Sequence, residues 1–369
     1  MKFDKLVREC INQIPPYVPG KPIEEVQREL GLSTAIKMAS NENPLGFSNE
    51  VRQAITAAMG QLPLYPDANQ YYLKEALAKE LGVTPEHLLI GNGSDEVNKI
   101  LGETILNPQD EVIIPQPTFS QYEYITVLMG AKPVFVSGTT LGNDLQAMRS
   151  AVTSKTKMIF ICNPNNPTGT IVTRDELVAF LRSIPEDIVV VVDEAYSDFA
   201  TDPDYPDGIQ LLQEGFKNVV VYRTFSKIHG LAGIRLGYAV ADPGLIKQML
   251  KVKEPFNVNL LAQVAGIAAL NSKEHIMLSK ELVKQSRAEF YRELDRLKLS
   301  YLPTEANFIL IDCGRDSAEI YHYLLQNGII VRATHSFGLP TCIRVTFGTV
   351  EQNQQFFKVF KEALEKLAG

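Results

Sequence analysis

Lys227 stands where an ammonium would be poorly solvated. In residues 221–238, VYRTFSKIHGLAGIRLGY, it follows a β-branched and aromatic run that reads as a buried strand and precedes a glycine-rich loop. Ser226 comes directly before it and Arg235 eight residues after, so an anion-binding hydroxyl and a guanidinium bracket the amine. Gly230 and Gly233 let the backbone close tightly around something. Other apolar runs also end in chemistry. IVVVV runs into DEAYSDF, so Asp193 ends a central strand, where a carboxylate needs a cationic or donating partner. KMIFIC runs into NPNNPTG, whose Asn-Pro steps enforce a rigid loop with Asn166 projecting from the strand end. HLLI runs into GNGSDEVNKIL, where a helix starting near Ser94 offers unpaired backbone N–H groups after a flexible turn, a site fitted to phosphate. Ser94 and Asp95 also suit a helix start as such. Together these ends bring two phosphate binders, an acid, an amide and a lysine to one crevice.

The elements that must hold these groups are legible as texture. From His87 to Val240, short runs (HLLI, EVIIP, KPVFVS, KMIFI, IVVVV, NVVVY, IRLGYAV) alternate with amphipathic segments such as RDELVAFLRSI. Continuous apolar runs bounded by turn residues predict strands buried on both faces, and the alternation predicts an α/β fold with a mostly parallel seven-stranded sheet covered by helices. In such folds ligands sit at the carboxyl ends of the strands. After Pro255 a long helical tract, then NFILID, IIVRA and CIRVTFG, then a closing helix predict a smaller α+β domain. The expected division is a 1–40 segment packing on the small domain, a large ligand-binding domain over 41–255 and a small domain over 256–369.

Composition narrows the function. The 369 residues carry a net charge of −7 from interspersed acids and bases, which gives no footprint for nucleic acid or a membrane face. Cys10, Cys162, Cys313 and Cys342 are far apart, and the five histidines lack ligand spacing, so neither a disulfide framework nor a metal site is expected. His229 is expected to pack beside the Lys227 loop. No run approaches a membrane span, and a cytoplasmic location is expected.

GNGSDE, PTFSQY, NPNNPTG, DEAY and FSKxxGLAGxRxGY, in this order and spacing, resemble the fold-type-I aminotransferases that use pyridoxal 5′-phosphate. SNENPLG, YPD and VRATHSFGLPTCIRVTFGT resemble the histidinol-phosphate aminotransferase family in particular. The resemblance implies that Lys227 forms the Schiff base with the cofactor, its pKa lowered by crowding from Arg235, and acts as nucleophile and then base. It implies that Asp193 pairs with the pyridine nitrogen, that Asn166 and Tyr196 reach the ring's phenolic oxygen, and that Phe119, where tyrosine is common, stacks on the ring face. The Gly93–Ser94 backbone, Ser226 and Arg235 would hold the phosphate, with Tyr65 entering from the neighbouring subunit of a homodimer, and Asp95 is implied as a further cofactor-binding residue. Arg332 and Arg344 would grip the substrate's acidic end, since guanidinium forks suit carboxylate and phosphate, and Tyr17 would close over it. The implied reaction exchanges histidinol phosphate and 2-oxoglutarate for imidazole acetol phosphate and glutamate in histidine biosynthesis. Aromatic amino acid transamination and threonine-phosphate decarboxylation are the alternatives on the same fold.

Overall fold

The computed structural model describes residues 3–16, 20–138 and 141–367. Its strands are β1 (Ile36–Lys37), β2 (Leu88–Gly91), β3 (Glu111–Pro115), β4 (Lys132–Val136), β5 (Thr156–Cys162), β6 (Val189–Asp193), β7 (Val219–Thr224) and β8 (Gly237–Val240), followed by β9 (Ser300–Tyr301), β10 (Phe308–Asp312), β11 (Ile329–Ile330), β12 (Arg332–Ala333) and β13 (Cys342–Thr346). The seven Val/Ile-rich runs become β2 to β8 and form one sheet in the order β2-β8-β7-β6-β5-β3-β4. Every pairing is parallel except the two made by β8.

Alternate side chains of the central strands enter separate cores. Val190, Val192, Val219 and Val221 point to one face, while Val191, Val220, Tyr222 and Phe160 point to the other. That two-sided burial is why these strands read as unbroken apolar runs instead of alternating ones. Strand order reverses between β3 and β5, so the crevice beyond their carboxyl ends is the switch point where α/β sheets bind ligands.

A third core lies under the four-stranded antiparallel sheet β12-β13-β10-β9. Phe290, Phe308, Phe347, Phe356 and Phe360 fill it, with Phe290 and Phe356 stacked at 5.5 Å. The Leu260–Asn271 helix follows the change of texture at Pro255 but packs with the first core, through Ala262, Ala265 and Ala269. Small residues carry it there: Gly266 lets Leu73 and Leu236 come close. The first forty residues divide their contacts. β1 pairs in parallel with β11, and Val26 and Ala39 share a small core with Leu325 and Ile330. Farther upstream, Arg8 Nη2 donates to Leu128 O at 2.7 Å, on the large sheet's side.

One close approach sets the crevice floor. Gly237 opens β8 against the start of the Ser94–Ile105 helix, where an added Cβ would lie 2.4 Å from Ser94 N and 2.7 Å from Gly93 C. Both are backbone atoms, so nothing flexible can yield. Gly237→Ala is expected to cost about 1–3 kcal/mol in urea unfolding. Gly233→Ala, with open space around its Cβ position, should leave stability unchanged.

Candidate active site

A cleft of about 270 Å³ opens at the carboxyl ends of β5, β6 and β7. Asp193 is the last residue of β6 and is 5% exposed. Its Oδ2 accepts from Tyr122 Oη at 2.6 Å and its Oδ1 from Ala195 N at 3.0 Å. Burial raises its pKa to about 6 against the pull of those two donors. Lys227 moves the opposite way, down to about 8, first through burial and then through the charge of Arg344. Arg235, which the sequence points to as the crowding cation, contributes less than Arg344. The Lys227 amine donates to Ser40 O at 3.2 Å and lies 5.6 Å from the Tyr196 ring centroid.

The NPNNPTG loop is held from within by asparagine. Asn165 Nδ2 donates to Pro117 O at 2.9 Å, and Thr118 Oγ1 donates to Asn165 Oδ1 at 2.8 Å. This leaves Asn166 at the cleft, where its Oδ1 accepts from Arg344 Nη1 at 2.5 Å. Arg344 is 6% exposed and also donates from Nη2 to Ala39 O at 2.6 Å. Tyr196 Oη accepts from Asn41 Nδ2 at 2.9 Å, and burial pushes its phenol well up, so the hydroxyl stays protonated.

At the other end of the cleft is an anion cradle. Gly93, with φ of 84°, starts the Ser94–Ile105 helix without a side-chain cap, so the first-turn amides are left for a ligand. Arg235 adopts a left-handed backbone with φ of 60°, which folds its guanidinium over that turn. A Cβ on Gly93 would lie 2.5 Å from Arg235 Nη2, the flexible tip of the arginine, and the φ of 84° there favours glycine on its own account. Ser94, Asp95 and Ser226 line the same end, and Asp95 Oδ2 accepts from Arg235 Nη2 at 3.2 Å. A hydroxyl pair, helix amides and a guanidinium form a donor set matched to a phosphate monoester.

Phe119 lines the cleft and meets the edge of Tyr122 at 5.7 Å. Arg332 lines it too, and β12 pairs with β13 so that Arg332 lies directly opposite Arg344. A larger cavity of about 670 Å³ adjoins, sharing Phe119, Ser120, Arg332 and Phe337. Tyr65 is outside this cleft, 83% exposed and stacked on Phe256 at 4.7 Å. Tyr17 lies outside the described residues. His229 stacks on Phe225 at 4.7 Å and is pushed down to about 4 by burial, so it is neutral packing beside the loop. Three contributors escaped the sequence reading: Tyr122, Ser40 and Asn41. The last two fall in SNENPLG and Tyr122 in PTFSQY, motifs that mark the region without revealing which atoms reach the cleft.

Residues 33–360 match the family model described as aminotransferase class I and II. The chain is 52% identical to a histidinol-phosphate aminotransferase of Moorella thermoacetica, covering 97% of this chain and 92% of that protein. It is 47% identical to one of Caldicellulosiruptor saccharolyticus, covering 97% and 100%. Among solved structures it is similar to the histidinol-phosphate aminotransferase of Sinorhizobium meliloti in complex with pyridoxal-5′-phosphate, with a TM-score of 0.90, 28% identity and 98% of each chain covered.

The Lys227 environment is open to measurement. Only the neutral amine is nucleophilic, so its acylation rate should rise with pH, reach half its limit near 8 and then level off. Ordinary surface lysines reach that point near ~10.4. Competitive acylation of the ligand-free protein, resolved by peptide mapping, should show this gap. Arg344→Ala removes a repelling charge and should move the Lys227 midpoint upward.

Proposed function

Because this chain belongs to the class I and II aminotransferases, we propose that it exchanges histidinol phosphate and 2-oxoglutarate for imidazole acetol phosphate and glutamate, using pyridoxal 5′-phosphate. The observation that carries the substrate choice is the pairing of Arg332 with Arg344. The two guanidinium side chains both line the cleft, and such forks suit carboxylate and phosphate. A substrate whose acidic end is a dianionic phosphate ester meets that arrangement, as does a carboxylate of 2-oxoglutarate, and the histidinol-phosphate aminotransferases above share about half of this sequence.

The residues present fit the cofactor. The Gly93–Ser94 backbone, Ser226 and Arg235 would hold its phosphate, with Asp95 bracing Arg235; Asp193 would be the carboxylate for its ring nitrogen, Asn166 and Tyr196 would serve its ring oxygen, and Phe119 its ring face. When bound, it supplies an electron sink for the pair left when the substrate Cα–H bond breaks. The rest is the work of the chain. Lys227, with a pKa near 8, accepts and returns a proton within the ordinary working range, which is what a general base needs. Tyr196 keeps its proton and donates. Arg344, fixed by Asn166 and Ala39, presents a guanidinium that does not have to reorganise to meet a carboxylate.

The reading extends to a homodimer in the cytoplasm. The stretch carrying Tyr65 is braced from behind, since Gln263 Nε2 donates to Asp67 O at 2.9 Å and Lys253 Nζ to Ala68 O at 3.2 Å. It presents Leu64, Tyr65 and Tyr72 outward, each more than two-thirds exposed, as an apolar face suited to a second copy. There Tyr65 would complete the partner's phosphate site. The four cysteines are free thiols, as a reducing compartment requires.

Turnover of glutamate with a panel of keto acids should rank imidazole acetol phosphate first. Arg332→Ala should cost roughly 2–5 kcal/mol in kcat/KM on histidinol phosphate and much less on phenylalanine. Equal losses would make Arg332 structural and favour an aromatic substrate. For the dimer, Tyr65→Phe subunits mixed with Lys227→Ala subunits should exceed either parent in activity, because one site of the mixed dimer carries neither defect. Mixtures no better than the parents would remove the shared site.

A further inference from the structure

We propose that Tyr122 is a positioning residue for Asp193, holding its carboxylate in one orientation and in the ionised form by donating a hydrogen bond to one oxygen. The inference rests on the reading of this cleft as the cofactor site. It starts from geometry. Tyr122 Oη lies 2.6 Å from Asp193 Oδ2, the length expected of a hydroxyl donating to a charged carboxylate. The phenol cannot swing away. Tyr122 is 1% exposed, its ring stacks on Phe160 at 4.3 Å with planes 11° apart, and Phe119 abuts it at 84°. Burial pushes the Tyr122 hydroxyl well up, so it remains a donor at every working pH.

The groups facing Asp193 come from each element around it. Tyr122 comes from the Gln121–Leu128 helix, Cys162 from the end of β5, Tyr222 from β7, Lys227 from the loop after β7 and Asp95 from the Ser94–Ile105 helix. Asp95 pushes the Asp193 carboxyl up, and Lys227 pulls it down less than either of the two hydrogen-bond donors. Of those donors, the Ala195 amide comes from the residue two places on and holds Oδ1, while Tyr122 alone reaches in from a separate element to hold Oδ2. Tyr222 lies directly across from Asp193 in the sheet, yet its hydroxyl is buried without a hydrogen-bond partner. Proximity of a phenol is therefore separable here from donation by one. PTFSQY thus does two tasks three residues apart: Phe119 lines the cleft, and Tyr122 secures the acid behind it.

The test uses the full-length chain. The Asp193 carboxyl band is followed by pH-difference infrared spectroscopy and assigned by its loss in Asp193→Asn. A hydrogen bond to the charged form lowers a carboxyl pKa, so Tyr122→Phe should raise the Asp193 midpoint, by about one to two pH units for a lost bond to a charged group. Tyr222→Phe should leave it in place. In the loaded enzyme, Tyr122→Phe should lower kcat with little change in KM for either substrate. If Tyr122→Phe lowers the unfolding temperature but leaves the carboxyl midpoint unmoved, or if Tyr222→Phe moves it as far, the proposal is overturned. The titration needs no substrate, so its outcome is separate from whether histidinol phosphate is turned over.

Discussion

Burial pushes the Asp193 carboxyl up to about 6 and the Lys227 amine down to about 8, and the rest of the cleft is organised around the cost of keeping both groups from water. An isolated ionised carboxylate in an apolar interior is untenable by tens of kcal/mol in the Born limit, so each group must meet dipoles or charges fixed in advance. Tyr122, Ala195 and Ser40 supply dipoles from three different parts of the chain, while the charge of Arg344 repels the Lys227 ammonium and adds to its downward shift. Neither group is driven fully neutral. Their pKa values approach one another across the range in which a proton must be exchanged, which is the arrangement that catalytic sites exploit.

The large sheet was legible because its strands are buried on both faces, a condition that writes itself into the sequence as unbroken Val and Ile. The strand ends were legible for the opposite reason: Asp193, Asn166 and Lys227 interrupt that apolar texture with groups that need partners. The partners themselves were not legible. Tyr122 reaches Asp193 across 71 residues, and Arg344 reaches Asn166 across 178. No local periodicity encodes such meetings. The same limit explains why the sequence points to Arg235 for a charge effect that Arg344 exerts more strongly, since the former is near in sequence and the latter only near in space. The Leu260–Asn271 helix shows a related limit, because a uniformly apolar helix does not state which of two cores it will join.

Arg344 gives the cleft a mechanical property as well as a charge. It sits on β13 of the four-stranded sheet and grips a loop of the large sheet through Asn166 and the upstream segment through Ala39. The two sheets and the upstream segment are therefore tied through one buried guanidinium.

The upstream segment carries a further consequence, for the entropy of forming the cleft. β1 pairs with β11 nearly three hundred residues later, and Asn41 N donates to Thr346 Oγ1 across 305. Closing a loop of that size brings an entropic penalty before any contact rewards it, and such contacts dominate slow folding. All seven strands of the large sheet lie within residues 88–240, whereas the strap that places Ser40 and Asn41 at the cleft is held by β11 and by Thr346. The floor of the cleft is therefore built from near neighbours in the chain and its wall from distant ones.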